Sequence, residues 1–363
     1  MTNPSAQAAP ASDARLPGLD GLRAISVVWV VAFHLSHHRH ALGAGWLADV
    51  ANAGHFGVSI FFVISGFLIT WLLLREERRA GTTNLSQFYL RRAFRILPAA
   101  LFHLACVAVF MALMGRSSSA LQWIACVFFF RNFDLPAPAE GADGGILTAH
   151  FWSLSVEEQF YLFWPLVLRW LPGKWRLPVT CVGFLVAPFW KQCLIWHFGI
   201  GNLNYFRTDL HYHFILAGAA LALARESHAR DSLFTRKWPG PLVFICVSIG
   251  LALLWTGLPW RPANVVLGGW LPAMAAALAI KWAVDGGDSV AHWMLNCRPM
   301  VWIGQLSYSI YLWQQFFTIE DHGRWWQRLP ANVCLILAFA VITHQFVEKP
   351  FLRLRNRLGA SAT

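Results

Sequence analysis

Apolar residues recur along this chain in runs of about twenty, long enough to cross a bilayer as helices. Short polar or basic stretches separate them. The pattern predicts spans near 22–38, 56–74, 96–114, 152–170, 177–198, 210–225, 240–258, 265–283, 299–319 and 331–348. A further run, LQWIACVFFF at 121–130, is too short to span comfortably and reads as re-entrant, interfacial or packed inside the bundle. No repeat period, heptad, P-loop, dinucleotide fingerprint or GxSxG elbow is visible. The expected fold is all-α: a polytopic membrane helix bundle of about ten transmembrane helices plus one short re-entrant or interfacial segment.

Composition agrees. Of 363 residues, 57% are hydrophobic and 13% charged, against about 25% charged in soluble domains. We expect one membrane domain over 16–352, a disordered cytoplasmic tail over 1–15 and a basic cytoplasmic tail over 353–363. The amino-terminal residues lack the apolar core and cleavage site of a secretory signal, so the first span is expected to act as its own uncleaved signal. The net charge of +11 would suit nucleic acid, but the basic residues cluster between the apolar runs. That distribution reports orientation. The segments 75–95, 169–176, 225–237 and 348–357 are basic, and ten spans with both termini cytoplasmic place all four on the cytoplasmic face of the plasma membrane. Counting 121–130 as a full span would put 169–176 outside. The seven cysteines show no CxxC pair and no zinc spacing, and read as packing residues.

Ionisable groups inside spans are expensive and mark function. Arg23 and His34 are eleven residues apart, which puts them on one helical face, within roughly 20°, and about 16 Å apart along the axis. Asp20 is placed to cap that helix. Arg23 also suits a positive-inside anchor, and His34 a hydrogen-bonded core histidine. Glu157 and Glu158 lie a turn or two into the membrane from the outside, about 100° apart, so one can face the interior. Arg92 and Arg95 are neighbours on one face just before span three. Their forks suit phosphate, though lipid headgroups would use them too.

Together these residues suggest a polyphosphate-bearing donor. Arginines would hold its phosphates at the cytoplasmic face, and an extended pantetheine arm would run up toward His34. His34 would then be the general base on an acceptor hydroxyl, oriented by a carboxylate. His34, His37, His38 and His40 do not share a face with a carboxylate, and no metal site is expected. Ser65-Gly66 reads as a close helix contact. Tyr308 and Tyr311 are weighed as pore-lining or interfacial, and His211 and His213 as borders of an acceptor site. Glu348 is expected to pair with a basic neighbour such as Lys349 at the cytoplasmic edge.

LPGLDGLRAISVVWVVAFH (16–34), GVSIFFVISGFLIT (57–70), FYLRRAFRILPA (88–99), FWSLSVEEQFYLFWPL (151–166) and LSYSIYLWQQ (306–315) resemble, in order, the motifs of the acyltransferase 3 family of bacterial integral-membrane O-acyltransferases. The similarity runs from about residue 16 to the terminal EKPFLR. The resemblance implies acyl transfer, commonly of acetyl, from cytoplasmic acyl-CoA to a hydroxyl of a surface or exported glycan or small molecule. No permanently bound cofactor is expected, only acyl-CoA as co-substrate. His34 carries over as the essential histidine, Arg23 as its motif partner, and Arg92 and Arg95 as the RxxR pair. Glu157 carries over as the recurrent carboxylate, with Glu158, Tyr308, Tyr311 and Gln314 as substrate-lining candidates. Ser59 stands where the family often has an acid, and Gln314 where it often has a histidine. Some members carry an added SGNH-type domain, and this chain would resemble the standalone type. A proton-coupled exporter would also use buried His and Glu, but inverted repeats are not visible. A non-catalytic scaffold would leave the buried charges without a purpose.

Overall fold

The computed structural model describes residues 16–39, 45–133, 147–199, 204–227, 262–287, 289–319 and 324–360. The predicted span 240–258, the tail 1–15 and most of the basic segment 225–237 lie outside the described residues. Among the described residues every regular element is helical. In chain order they are α1 (Leu19–Arg39), α2 (Trp46–Asn52), α3 (Phe56–Ala80), α4 (Leu85–Leu113), α5 (Ala120–Val127), α6 (Phe151–Trp170), α7 (Gly173–Phe198), α8 (Tyr212–Ser227) and α9 (Pro262–Asp285). Then follow α10 (Val290–Asn296), α11 (Arg298–Thr318), α12 (Ala331–Thr343), a π-helical turn His344–Glu348, and α13 (Lys349–Ala360).

Six helical stretches among the described residues are long and apolar enough to cross a membrane. The predicted spans 152–170 and 299–319 are helices of 20 and 21 residues, but polar side chains dilute them. Those side chains point inward: Ser153, Ser155, Ser309, Gln314 and Gln315 are all buried. The predicted span 210–225 is a helix of only 16 residues. The run 121–130 forms the eight-residue α5, too short to cross, as expected.

Three local readings change. Asp20 does not precede α1 but lies in its first turn, where it lies 3.8 Å from Arg23 and complements the positive helix end. The arginines of 75–95, expected between two spans, lie within the long helices themselves, on α3 and α4. Gly81, at φ 74, ends α3 in the left-handed conformation that favours glycine, and Asn84 caps α4 by accepting from the Gln87 N–H at 3.0 Å. Glu348 is not at an aqueous edge beside Lys349. The π turn carries an extra residue, and it turns Glu348 inward. There it is 7% exposed, accepts from Ser309 and lies 3.0 Å from His344 Nδ1, while Lys349 donates to Gln345.

Glycines set the closest crossings. A Cβ on Gly66 would stand 1.9 Å from the Ile215 carbonyl oxygen, and one on Gly218 1.9 Å from that of Val63, so α3 and α8 meet backbone to backbone. Gly304 of α11 abuts the Asp20 carbonyl of α1 in the same way. The Ser65-Gly66 reading as a packing contact therefore holds for Gly66.

Ion pairs gather the basic segments at one end of the bundle. Arg176, at the start of α7, grips Glu77 near the end of α3 with two hydrogen bonds of 2.6 and 3.0 Å. Arg91 meets Glu76 at 2.6 Å, Arg78 meets Glu226 at 2.7 Å, and Arg225 pairs with Asp285. Phe351 of α13 rests on Phe94 of α4 at 6.3 Å. The described parts of all four basic segments thus share one end.

Candidate functional site

Between α1, α3, α4, α6 and α11 lies a cavity of about 800 Å³, counting its open mouth. Along α3 its wall runs from Val58 to Ile69, which is about 16 Å of helix. Seven of the nine sequence-predicted site residues line it: Arg23, Arg92, Arg95, Glu157, Glu158, Tyr308 and Tyr311. Arg95 is exposed, Arg23 and Arg92 are half-buried, and the arginines stand at the end that carries the basic segments.

The carboxylates are fixed by neighbours. Ser65 donates to Glu157 Oε1 at 3.0 Å, and Tyr161 donates to Oε2 at 3.0 Å. The Tyr161 oxygen is also 2.9 Å from Ser65 Oγ, so the three groups form a closed ring. Arg92 lies over the Tyr161 ring at 5.3 Å and the Phe88 ring at 5.8 Å. Among the described residues neither Arg92 nor Arg95 has a carboxylate within ion-pair distance; Arg92 is held by rings instead. The mouth therefore presents two guanidiniums with open forks beside a third, Arg23, that Asp20 only loosely engages at 3.8 Å. Such a cluster recognises phosphates bidentately.

Deeper in, Tyr308 donates to the Ile96 carbonyl at 3.0 Å, which pins α11 to α4. Tyr311 and Ser153 face each other at 2.5 Å on the cavity wall. Behind them His150 is locked by Gln315, whose Oε1 accepts from its backbone N–H at 2.8 Å and lies 2.6 Å from its Nδ1.

Two predicted residues are elsewhere. Gln314 is wholly buried, and neither atom of its amide has a hydrogen-bond partner. Its neighbour Gln315 makes the polar contacts. His34 does not line the cavity. Gly57, at the start of α3, abuts the Ser26 carbonyl and the Val30 side chain of α1, so His34 lies roughly 6–12 Å, one to two helical turns, beyond the cavity's Val58 end. Its ring sits 5.1 Å from that of Phe33, which in turn contacts His55 at 5.8 Å.

The sequence reading missed Tyr161, Ser65 as a polar group, His150 and Gln315. Tyr161 was within reach, because it is four residues after Glu157 and so on the same helical face. The partnership of Ser65 with Glu157 spans 92 residues and leaves no local signal. Among the described residues no group of three or more metal-ligating side chains occurs.

The family model described as an acyltransferase domain matches residues 16–350. An O-acetyltransferase OatA of Staphylococcus aureus is 32% identical over 356 residues, covering 92% of this chain and 57% of that protein. A peptidoglycan O-acetyltransferase OatA of Listeria monocytogenes is 29% identical over 367 residues, covering 92% of this chain and 55% of that protein. The chain thus spans a little over half the length of these relatives. No solved structure matches it.

Proposed function

Because this chain belongs to the acyltransferase domain family, we propose that it is a multi-pass membrane O-acyltransferase. It takes an acyl group, acetyl being the first to test, from acyl-CoA at the arginine end of the bundle. It delivers the group to a hydroxyl of a cell-surface or exported glycan at the other end. By the positive-inside rule the arginine end is cytoplasmic. One relative is named for peptidoglycan, so a peptidoglycan fragment is the first acceptor to try.

The observation that carries this reading is the cavity. Three arginines at an open mouth, two of them without carboxylate partners, lead to a hydrogen-bonded carboxylate and on to Ser153 and Val58. Arg92, Arg95 and Arg23 receive the donor's phosphates, and the pantetheine arm lies along the α3 wall past Tyr308 and Tyr311. Glu157 supports the positive charge of Arg23 and Arg92 and polarises the site. The acyl carbon then stands past Ser153 at the Val58 end of the cavity, with the acceptor hydroxyl between it and His34. His34 takes the proton of the acceptor hydroxyl as its oxygen attacks the thioester carbon. The C–S bond breaks, the ester forms, and the imidazolium returns its proton to the departing thiolate. No bound cofactor is required.

Purified protein given labelled acetyl-CoA and a peptidoglycan fragment tests the reading. The native protein should form the O-acetyl ester, and His34→Ala should insert and fold but transfer nothing. Unimpaired transfer by that variant would remove His34 as the base, and no transfer by the native protein with any acyl-CoA would sink the reading.

A further inference from the structure

The end of the bundle away from the arginines holds a cation that the chemistry above does not use. Lys191 of α7 is 9% exposed. Its ammonium lies 5.1 Å from the centroid of the Tyr205 ring, and among the described residues no carboxylate or carbonyl accepts from it. The acid in the same loop as Tyr205 is already engaged: Arg207 grips Asp209 at 3.0 and 2.9 Å, and Trp190 donates to it at 2.9 Å. The other titratable groups in electrostatic range of Lys191 are His55, His211 and His213. A buried ammonium with three unused donors among imidazoles makes a site for an anion.

Aromatic rings connect this site with the cavity. His211 packs against Tyr205 at 5.1 Å, Trp152 at 4.9 Å and Phe62 at 5.8 Å, and Phe62 is part of the cavity wall. Trp152 also meets Phe206 at 5.1 Å. Tyr205 and Phe206 are 45% and 43% exposed, so the ring surface can be reached from outside the bundle. Flat apolar faces with polar edges suit the C–H faces of sugar rings.

We propose that Lys191 determines acceptor specificity by pairing with a sugar carboxylate on the acceptor glycan, while Trp152, Tyr205 and Phe206 stack its sugars. The inference rests on the acyl-transfer reading for the word acceptor, but its test does not need turnover. Binding of three probes to the full-length protein in neutral detergent is measured by calorimetry: a glucuronate-terminated tetrasaccharide, its neutral glucose-terminated counterpart, and glycerol phosphate as a lipid headgroup. The native protein should bind the acidic saccharide at least tenfold more tightly than the neutral one. Lys191→Met should erase the preference, and Lys191→Arg should keep part of it. Should the Met variant not fold, Lys191→Gln takes its place.

Equal binding of both saccharides by the native protein overturns the proposal, as does a preference that survives in the neutral variants. Glycerol phosphate competing as well as the acidic saccharide assigns Lys191 to a lipid headgroup and also overturns it. Failure of the acyl-transfer reading would show separately, as no ester formed from labelled acetyl-CoA.

Discussion

Glu157 keeps its place because two hydroxyls point at it, one from Ser65 and one from Tyr161. Tyr161 has a second task, since its ring also supports Arg92 at 5.3 Å. Tyr161→Phe separates the two, leaving the ring and removing the donor. We expect acyl transfer to fall about tenfold, equivalent to ~1.4 kcal/mol of barrier, with the KM for acetyl-CoA little changed; initial rates across donor concentrations decide it. The adjacent glutamines of α11 offer a second comparison. Gln315 accepts from two groups of His150, whereas the amide of Gln314 is buried without partners. Gln315→Leu should cost about 1–3 kcal/mol by stranding a buried donor, while Gln314→Leu should be neutral or stabilising; midpoints of unfolding in detergent separate the two. The family resemblance singled out Gln314. Adjacent residues on a helix point about 100° apart, so a motif shows that a glutamine is present but not which of two faces the polar interior.

Elements were more legible than side-chain partners. The apolar runs located every described membrane-length helix, because lipid requires long uninterrupted segments with their backbone bonded internally. Helix ends were less legible. The third span was expected near residue 96, yet α4 begins at Leu85 and carries Arg91, Arg92 and Arg95 within it. Hydropathy sees where the apolar stretch starts, but a helix starts where a cap satisfies its first N–H groups, here at Asn84. Because the arginines belong to a rigid helix, the mouth they form is preorganised. The crossing of α3 and α8 fixes the same wall from behind. Gly66→Ala would drive a methyl into the Ile215 carbonyl, and Gly218→Ala would do the same at Val63. Each should destabilise the protein by about 1–3 kcal/mol or more through overpacking, visible as a lowered thermal midpoint of the solubilised protein. A crossing this close leaves a small-residue trace in sequence, and the packing role of Gly66 was readable there. The identity of the partner helix was not, since it lies some 150 residues away.

At the scale of the whole molecule the two ends differ in kind. One end gathers arginines and ion pairs, and the other gathers tryptophans, histidines and the buried Lys191. The cavity opens at the arginine end and is lined by three arginines and two glutamates, so its charge favours an anionic guest. A guest that is anionic at one end and uncharged along its arm would fit this lining, because its phosphates would stay with the guanidiniums while its arm would meet Tyr308, Tyr311 and the apolar wall. Truncating the guest tests that division of labour. Arg92→Ala and Arg95→Ala should each raise the KM for acetyl-CoA about tenfold or more, as loss of a charge-assisted contact of 1.5–3 kcal/mol would do. The same variants should leave the KM for acetyl-pantetheine, which has no phosphates, within about twofold of native. Raised salt should mimic the substitutions for acetyl-CoA and spare acetyl-pantetheine, since exposed charges are screened over about 8–10 Å. Equal losses with both donors would mean that the arginines hold the bundle together rather than the donor, and the phosphate end would then have to be sought at another surface.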